Sequence, residues 1–102
     1  MAQAQENLTV IIGRLLRRRP HPRLEGWESV TVHIDDTRPV RGRADLLSRH
    51  RNTDLPVAFR ASLLGDAAPG DDLVFRAYLS RDGARAEPDP APGDLAITRP
   101  DG

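Results

Sequence analysis

A chain of 102 residues and 11.3 kDa has room for one domain and one small core. Its 15 basic residues, all Arg, balance 15 acidic ones, which argues against a dedicated nucleic-acid binder. No run approaches the roughly 20 apolar residues of a membrane helix, and the absence of Cys excludes disulfides, thiolate metal sites and thiol nucleophiles.

The first element is a strand. Leu8 to Ile12 is rich in β-branched residues and continues through Leu15 and Leu16. Gly13 inside that run predicts a bulge, or a bend where another backbone comes close. Arg19-Pro20-His21-Pro22 then breaks the chain. Val30 to Ile34 alternates with period two, which puts Thr31 and His33 on the outer face. Asp35 to Pro39 and Arg41-Gly42 read as a loop. Ala44 to Ser48 fits either a strand or one helical turn. Leu55 to Leu63 alternates again, with Pro56 marking a strand start or a sheet edge. Gly65 to Gly70 is a Gly/Pro turn. Leu73, Phe75, Ala77 and Leu79 then share one face, and Val74, Arg76, Tyr78 and Ser80 the other. Arg81-Asp82-Gly83 is a tight-turn signal. Pro88, Pro90 and Pro92 stand at alternate positions, which predicts an extended loop of polyproline character over 85–93. Residues 94–98 form a closing strand.

This pattern predicts an all-β fold, a small antiparallel β-sandwich of six to eight short strands. A single domain covers 1–102, with its body at about 8–84. Phe59, Phe75, Leu63, Leu79, Val32, Ile34, Val10 and Ile12 are the expected core.

The residues that carry chemistry are sparse. No nucleophile elbow surrounds any Ser, and His21 lies in a loop between two prolines. His33 and Asp35 share an outward strand face and form the strongest candidate for catalysis, yet no nucleophile accompanies them. Asp35-Asp36 and Asp71-Asp72 are adjacent acids and supply at most one ligand each to a metal. No phosphate-binding glycine loop is present. The expectation is therefore no catalytic residue, no metal and no cofactor.

Candidate contacts with a protein partner are more numerous. Arg14, Arg17, Arg18 and Arg19 make the most basic stretch and suit an acidic partner. Trp27 reads either as a plug over one end of the fold or as an exposed contact. Pro56, Ala58 and Val74 are apolar on faces that are otherwise polar. They place an apolar partner segment near the strands at 30–34 and 55–63. The charge is also uneven along the chain. Residues 1–51 carry 10 Arg against 6 acids, and residues 52–102 carry 5 Arg against 9 acids.

Several segments in order resemble a known family. They are Leu8 to Gly13, Val30 to Thr37 with its acid-acid-Thr ending, Asp54-Leu55-Pro56-Val57-Ala58-Phe59, and Leu73 to Leu79 leading into Asp82-Gly83. Together they resemble the YbaY/YscW family of small bacterial lipoproteins, which includes type III secretion pilotins. The resemblance spans roughly residues 8–84. It implies a non-enzymatic, chaperone-like β-sandwich of the cell envelope. For pilotin members it implies a protein partner, the C-terminal tail of a secretin, with no nucleic acid and no transmembrane segment. The chain departs from the family in lacking a lipobox Cys and in its acidic, Pro-rich stretch after Gly83. Its expected location is the periplasm or the inner face of the outer membrane if an upstream signal and lipidated Cys were removed. Otherwise it is the cytoplasm.

Overall fold

The computed structural model describes residues 7–100. They form strands β1 (Thr9–Pro20), β2 (Trp27–Pro39), β3 (Asp54–Arg60), β4 (Asp72–Ser80), β5 (Gly83–Ala86) and β6 (Ala96–Thr98). A one-turn helix, Ala61–Leu64, follows β3, and a 3-10 turn, Ser48–His50, lies in the crossover before it.

The strands lie in the order β1-β2-β3-β5-β4-β6, and β1 also pairs with β4. Five strands therefore close on themselves into a barrel, and β6 extends the edge of β4. The all-β expectation is met, while the two-sheet sandwich is replaced by one closed, mixed sheet. A single short strand causes the difference. Residues Gly83–Ala86 read as turn and Pro-rich loop, yet β5 pairs antiparallel with β4 and parallel with β3, Val57 opposite Ala84. Its four residues are too few for periodicity to register.

Inward side chains fill the barrel. Ile11, Leu15, Val30, Val32, Ile34, Val57, Phe59, Leu73 and Phe75 are all buried. The rings of Phe59 and Phe75 meet edge to face with centroids 4.8 Å apart. Leu63 and Leu79 are partly buried against this core. Val10 and Ile12 depart from expectation, since Ile11 takes the inward position. The run Thr9-Val10-Ile11-Ile12 has no polar alternation, so its facing was unreadable.

Two bulges shape the β1–β2 pair. Register slips between Ile12 and Gly13 and again between Leu15 and Arg17. At Gly13 the expected close approach is present. A Cβ there would stand 2.3 Å from the His33 carbonyl oxygen and 2.8 Å from Val32 Cγ1. The second bulge leaves Leu16 without a partner in β2, so Leu16 and Arg17 both face solvent.

Other expectations shift by local geometry. β2 continues through Asp35 to Pro39 instead of giving way to a loop, because it stays paired with β1. Residues 44–47 form neither a strand nor a helical turn, although Ala44 makes one bridge to Asn7, and Ser48 opens the 3-10 turn. The alternation from 55 ends at Arg60, where the helical turn starts. The closing strand is confined to Ala96–Thr98. The Pro-rich segment begins at Glu87 and is held against the barrel. Arg76 makes paired hydrogen bonds to both Glu87 carboxylate oxygens at 2.9 Å, and Arg60 reaches the Pro88 carbonyl.

Candidate functional site

Side-chain alternation turns Trp27, Ser29 and Thr31 of β2 outward, beside Pro56, Ala58 and Arg60 of β3, although Ala58 itself is buried under its neighbours. Ser29 stands opposite Ala58, and Thr31 opposite Pro56. Ala58 is also in parallel register with Arg85. Small side chains at Ser29, Ala58 and Gly83 leave room above the sheet, and a recess of about 120 Å³ lies there. It is lined by His21, Ser29, Pro56, Ala58, Asp82 and Arg85 among others.

The rim comes from two turns. His21, just after β1, accepts hydrogen bonds at Nδ1 from the Arg23 and Leu24 backbone N–H groups. This fixes the ring at the mouth. Asp82 and Gly83 come from the β4–β5 turn, and Gly83 has φ of +122°, which favours glycine. A second recess of about 220 Å³ adjoins the first and shares His21, Ser29 and Asp82 with it.

Trp27 is half-buried and lines a neighbouring recess with Glu25, Gly26, Arg60, Ser62 and Pro88 rather than the one over Ala58. Its ring lies outside the core, and the Arg85 guanidinium sits 6.0 Å from its centroid. Arg85 also bonds Asp82 at 3.2 Å. The recess offers a guanidinium, one carboxylate and a floor of small residues, with the Trp27 ring on the far side of Arg85. It suits an extended segment with a modest side chain better than a large flat ligand.

The other expected contacts are spread over the molecule. Val74 is exposed on β4, in register with Ile12 and Ala96. It shares no register neighbour with Pro56 or Ala58, so the three do not make one site. The arginine stretch is also divided. Arg14 faces out and lies 3.9 Å from Asp72. Arg17 and Arg19 are exposed. Arg18 lies opposite Val30 and is turned to the inner side by the bulge. Its guanidinium bonds both Glu28 carboxylate oxygens at 2.6 and 2.8 Å, and the carbonyls of Gly65 and Ala67. Arg18 is thus spent on the barrel end and is withdrawn from the partner-binding set. Its hydrogen bonds hold the Glu28 carboxyl below its ordinary value.

His33, the candidate for catalysis, stands between two carboxylates. Its Nδ1 is 2.7 Å from Asp54 and its Nε2 is 3.8 Å from Asp35. Among the described residues no group of three or more His, Asp or Glu side chains is placed to hold a metal ion. No helix among them is long and apolar enough to cross a membrane.

Sequence reasoning singled out Pro56, Ala58 and Trp27 but missed His21, Ser29, Asp82 and Arg85. Arg85 had no signal because its strand lay hidden beside the prolines. His21 was visible, but its turn was not. No family model, curated protein or solved structure matches the chain.

Proposed function

We propose that this protein is a non-enzymatic binding module that takes up a segment of a protein partner across the outer face of β2 and β3. The observation that carries this reading is the recess where Pro56 and Ala58 meet His21, Ser29, Asp82 and Arg85 beside Trp27. The strand order adds support by analogy. A five-stranded barrel of this connectivity is of the OB type, whose ligands sit on the β2–β3 face between the β1–β2 and β4–β5 turns. Those are the elements that line this recess. The analogy supports the location, not the ligand.

The resemblance to the YbaY/YscW family supplies the finer reading. There the partner is a secretin C-terminal tail, and the module is a pilotin-like escort in the cell envelope. A second reading is a cytoplasmic adaptor for an acidic partner. It is favoured by Arg17 and Arg19, which are exposed and make no ion pair among the described residues.

Variants separate the readings. Wild type, Ala58→Arg and Val74→Asp are each used to capture partners from an extract of the source organism at low and high salt. A protein held by wild type and Val74→Asp at high salt, and lost with Ala58→Arg, is the expected result. Equal capture by Ala58→Arg overturns the recess as the site. A partner lost at high salt in every case favours the arginine-driven adaptor.

A further inference from the structure

The arginines of the β1–β2 hairpin end pose a question that the recess does not answer. Among the described residues, Arg17, Arg19 and Arg23 make no ion pair, and all three are exposed. Glu28, the nearest acid in the strands, is neutralised by Arg18. Asp82 is engaged by Arg85. Glu25, on the same turn, and Asp66, whose charge acts on Arg18, are the acids left without an ion pair. Arg17, Arg18, Arg19 and Arg23 thus face Glu25, Glu28 and Asp66, and the hairpin end keeps a small positive excess although the chain is neutral.

Apolar groups accompany this charge. Leu16 is 38% exposed because the bulge turns it outward next to Arg17. Pro20 and Pro22 are exposed between the arginines. Beyond Leu15 no described strand pairs with β1 on its β4 side, and register with β4 ends at Arg14. The 65–71 turn lies along that side instead, with the Gly70 N–H on the Leu15 carbonyl and Arg18 on the Gly65 and Ala67 carbonyls, so the arginine surface is the outer face of the ribbon and not its edge.

We propose that the hairpin end, through Arg17, Arg19 and Arg23 with Leu16 beside them, docks on an anionic phospholipid surface. Guanidinium groups meet the lipid phosphates by charge-assisted hydrogen bonds. Leu16 adds apolar contact at the headgroup boundary. This surface adjoins the recess on the β2–β3 face, with Arg17 opposite Thr31, Arg19 opposite Ser29 and Arg23 lining the second recess. The two proposals are read by different experiments, vesicle binding here and partner capture there.

The test is co-sedimentation with vesicles of phosphatidylcholine alone and of phosphatidylcholine mixed with phosphatidylglycerol. Wild type is expected on the mixed vesicles only, and high salt should release it. Each juxtamembrane arginine is worth about a fivefold change in affinity. The triple variant Arg17→Ser, Arg19→Ser, Arg23→Ser should therefore bind about a hundredfold more weakly. The control carries Arg38→Ser, Arg41→Ser and Arg49→Ser, which removes the same charge near the other end of the β1–β2 pairing. It should keep most of the binding. Leu16→Ser alone should weaken it severalfold, with the fold checked by circular dichroism. Equal binding to both vesicle types overturns the proposal, as does equal loss in the two triple variants. Binding to single-stranded DNA or polyglutamate but not to vesicles overturns it as well.

Discussion

Gly13 and Arg18 show how single positions constrain this barrel. At Gly13 the β1 and β2 backbones approach so closely that even a methyl group collides with the His33 carbonyl oxygen. A carbonyl inside a ladder cannot swing aside as a flexible side chain can. Gly13→Ala is expected to cost about 1–3 kcal/mol, read as a lower denaturant midpoint. Glu28 makes a different kind of prediction. Arg18 lowers its folded pKa below the ordinary 4.5. The resulting stability is fully present above the unfolded value and is lost as pH falls through the folded one. Stability should therefore fall on acidification below about pH 4.5, and Glu28→Gln should flatten part of that fall. Asp71 and Asp45 act in the same direction. The Ala68 backbone N–H and Arg99 lower the Asp71 pKa. At Asp45, burial raises the pKa, but hydrogen bonds from Ser48 and Thr9 outweigh it. A pH titration of the unfolding midpoint for wild type and Glu28→Gln checks this.

Among the elements, β1 shows what a sequence does and does not reveal. Its β-branched run announced a strand, and its glycine announced a close approach. The facing of Val10 and Ile12 stayed hidden, because four consecutive non-charged residues fit either face. The division of the arginine stretch was hidden too, since the bulge at Leu16 changes which side each following residue takes. A bulge of this kind is written in the partner strand as much as in β1, and no local spacing encodes it. The exclusion of the Pro-rich segment from helix and central strand holds from Glu87 on but fails for Arg85 and Ala86, which belong to β5. The anchoring of the remainder depends on a partner far along the fold. Arg76 grips Glu87 and also lies 3.5 Å from Asp94. Arg76→Ala should release this clamp. Faster amide exchange is then expected over 87–95, while exchange in β2 stays unchanged. Faster exchange everywhere would show that Arg76 supports the whole barrel instead.

For the molecule as a whole, the pattern of turns and alternation was enough to fix the all-β class. It was not enough to decide between a sandwich and a barrel. That choice rests on Gly83–Ala86, which joins β3 to β4, and on the pairing of β1 with β4. Both contacts link residues far apart in the chain, where periodicity carries no information. The candidate site was half legible for the same reason. Pro56 and Ala58 stood out because they are apolar on an outward face. Their neighbours on the rim come from turns brought together only by closure.

The parallel pairing of β3 with β5 also orders events during synthesis. The β1–β2 and β4–β5 hairpins form between sequence neighbours, but Val57 meets Ala84 only after all of β4 has been made. Topologies dominated by such distant pairings refold on the order of milliseconds to seconds. A nascent chain therefore emerges with the second edge of β3 uncovered, at the stage when strand edges most readily join the wrong neighbour. Pro56 stands near the start of that edge and has no N–H to lend to an incoming strand. The residue that marks the mature recess thus also guards the chain before the barrel is shut.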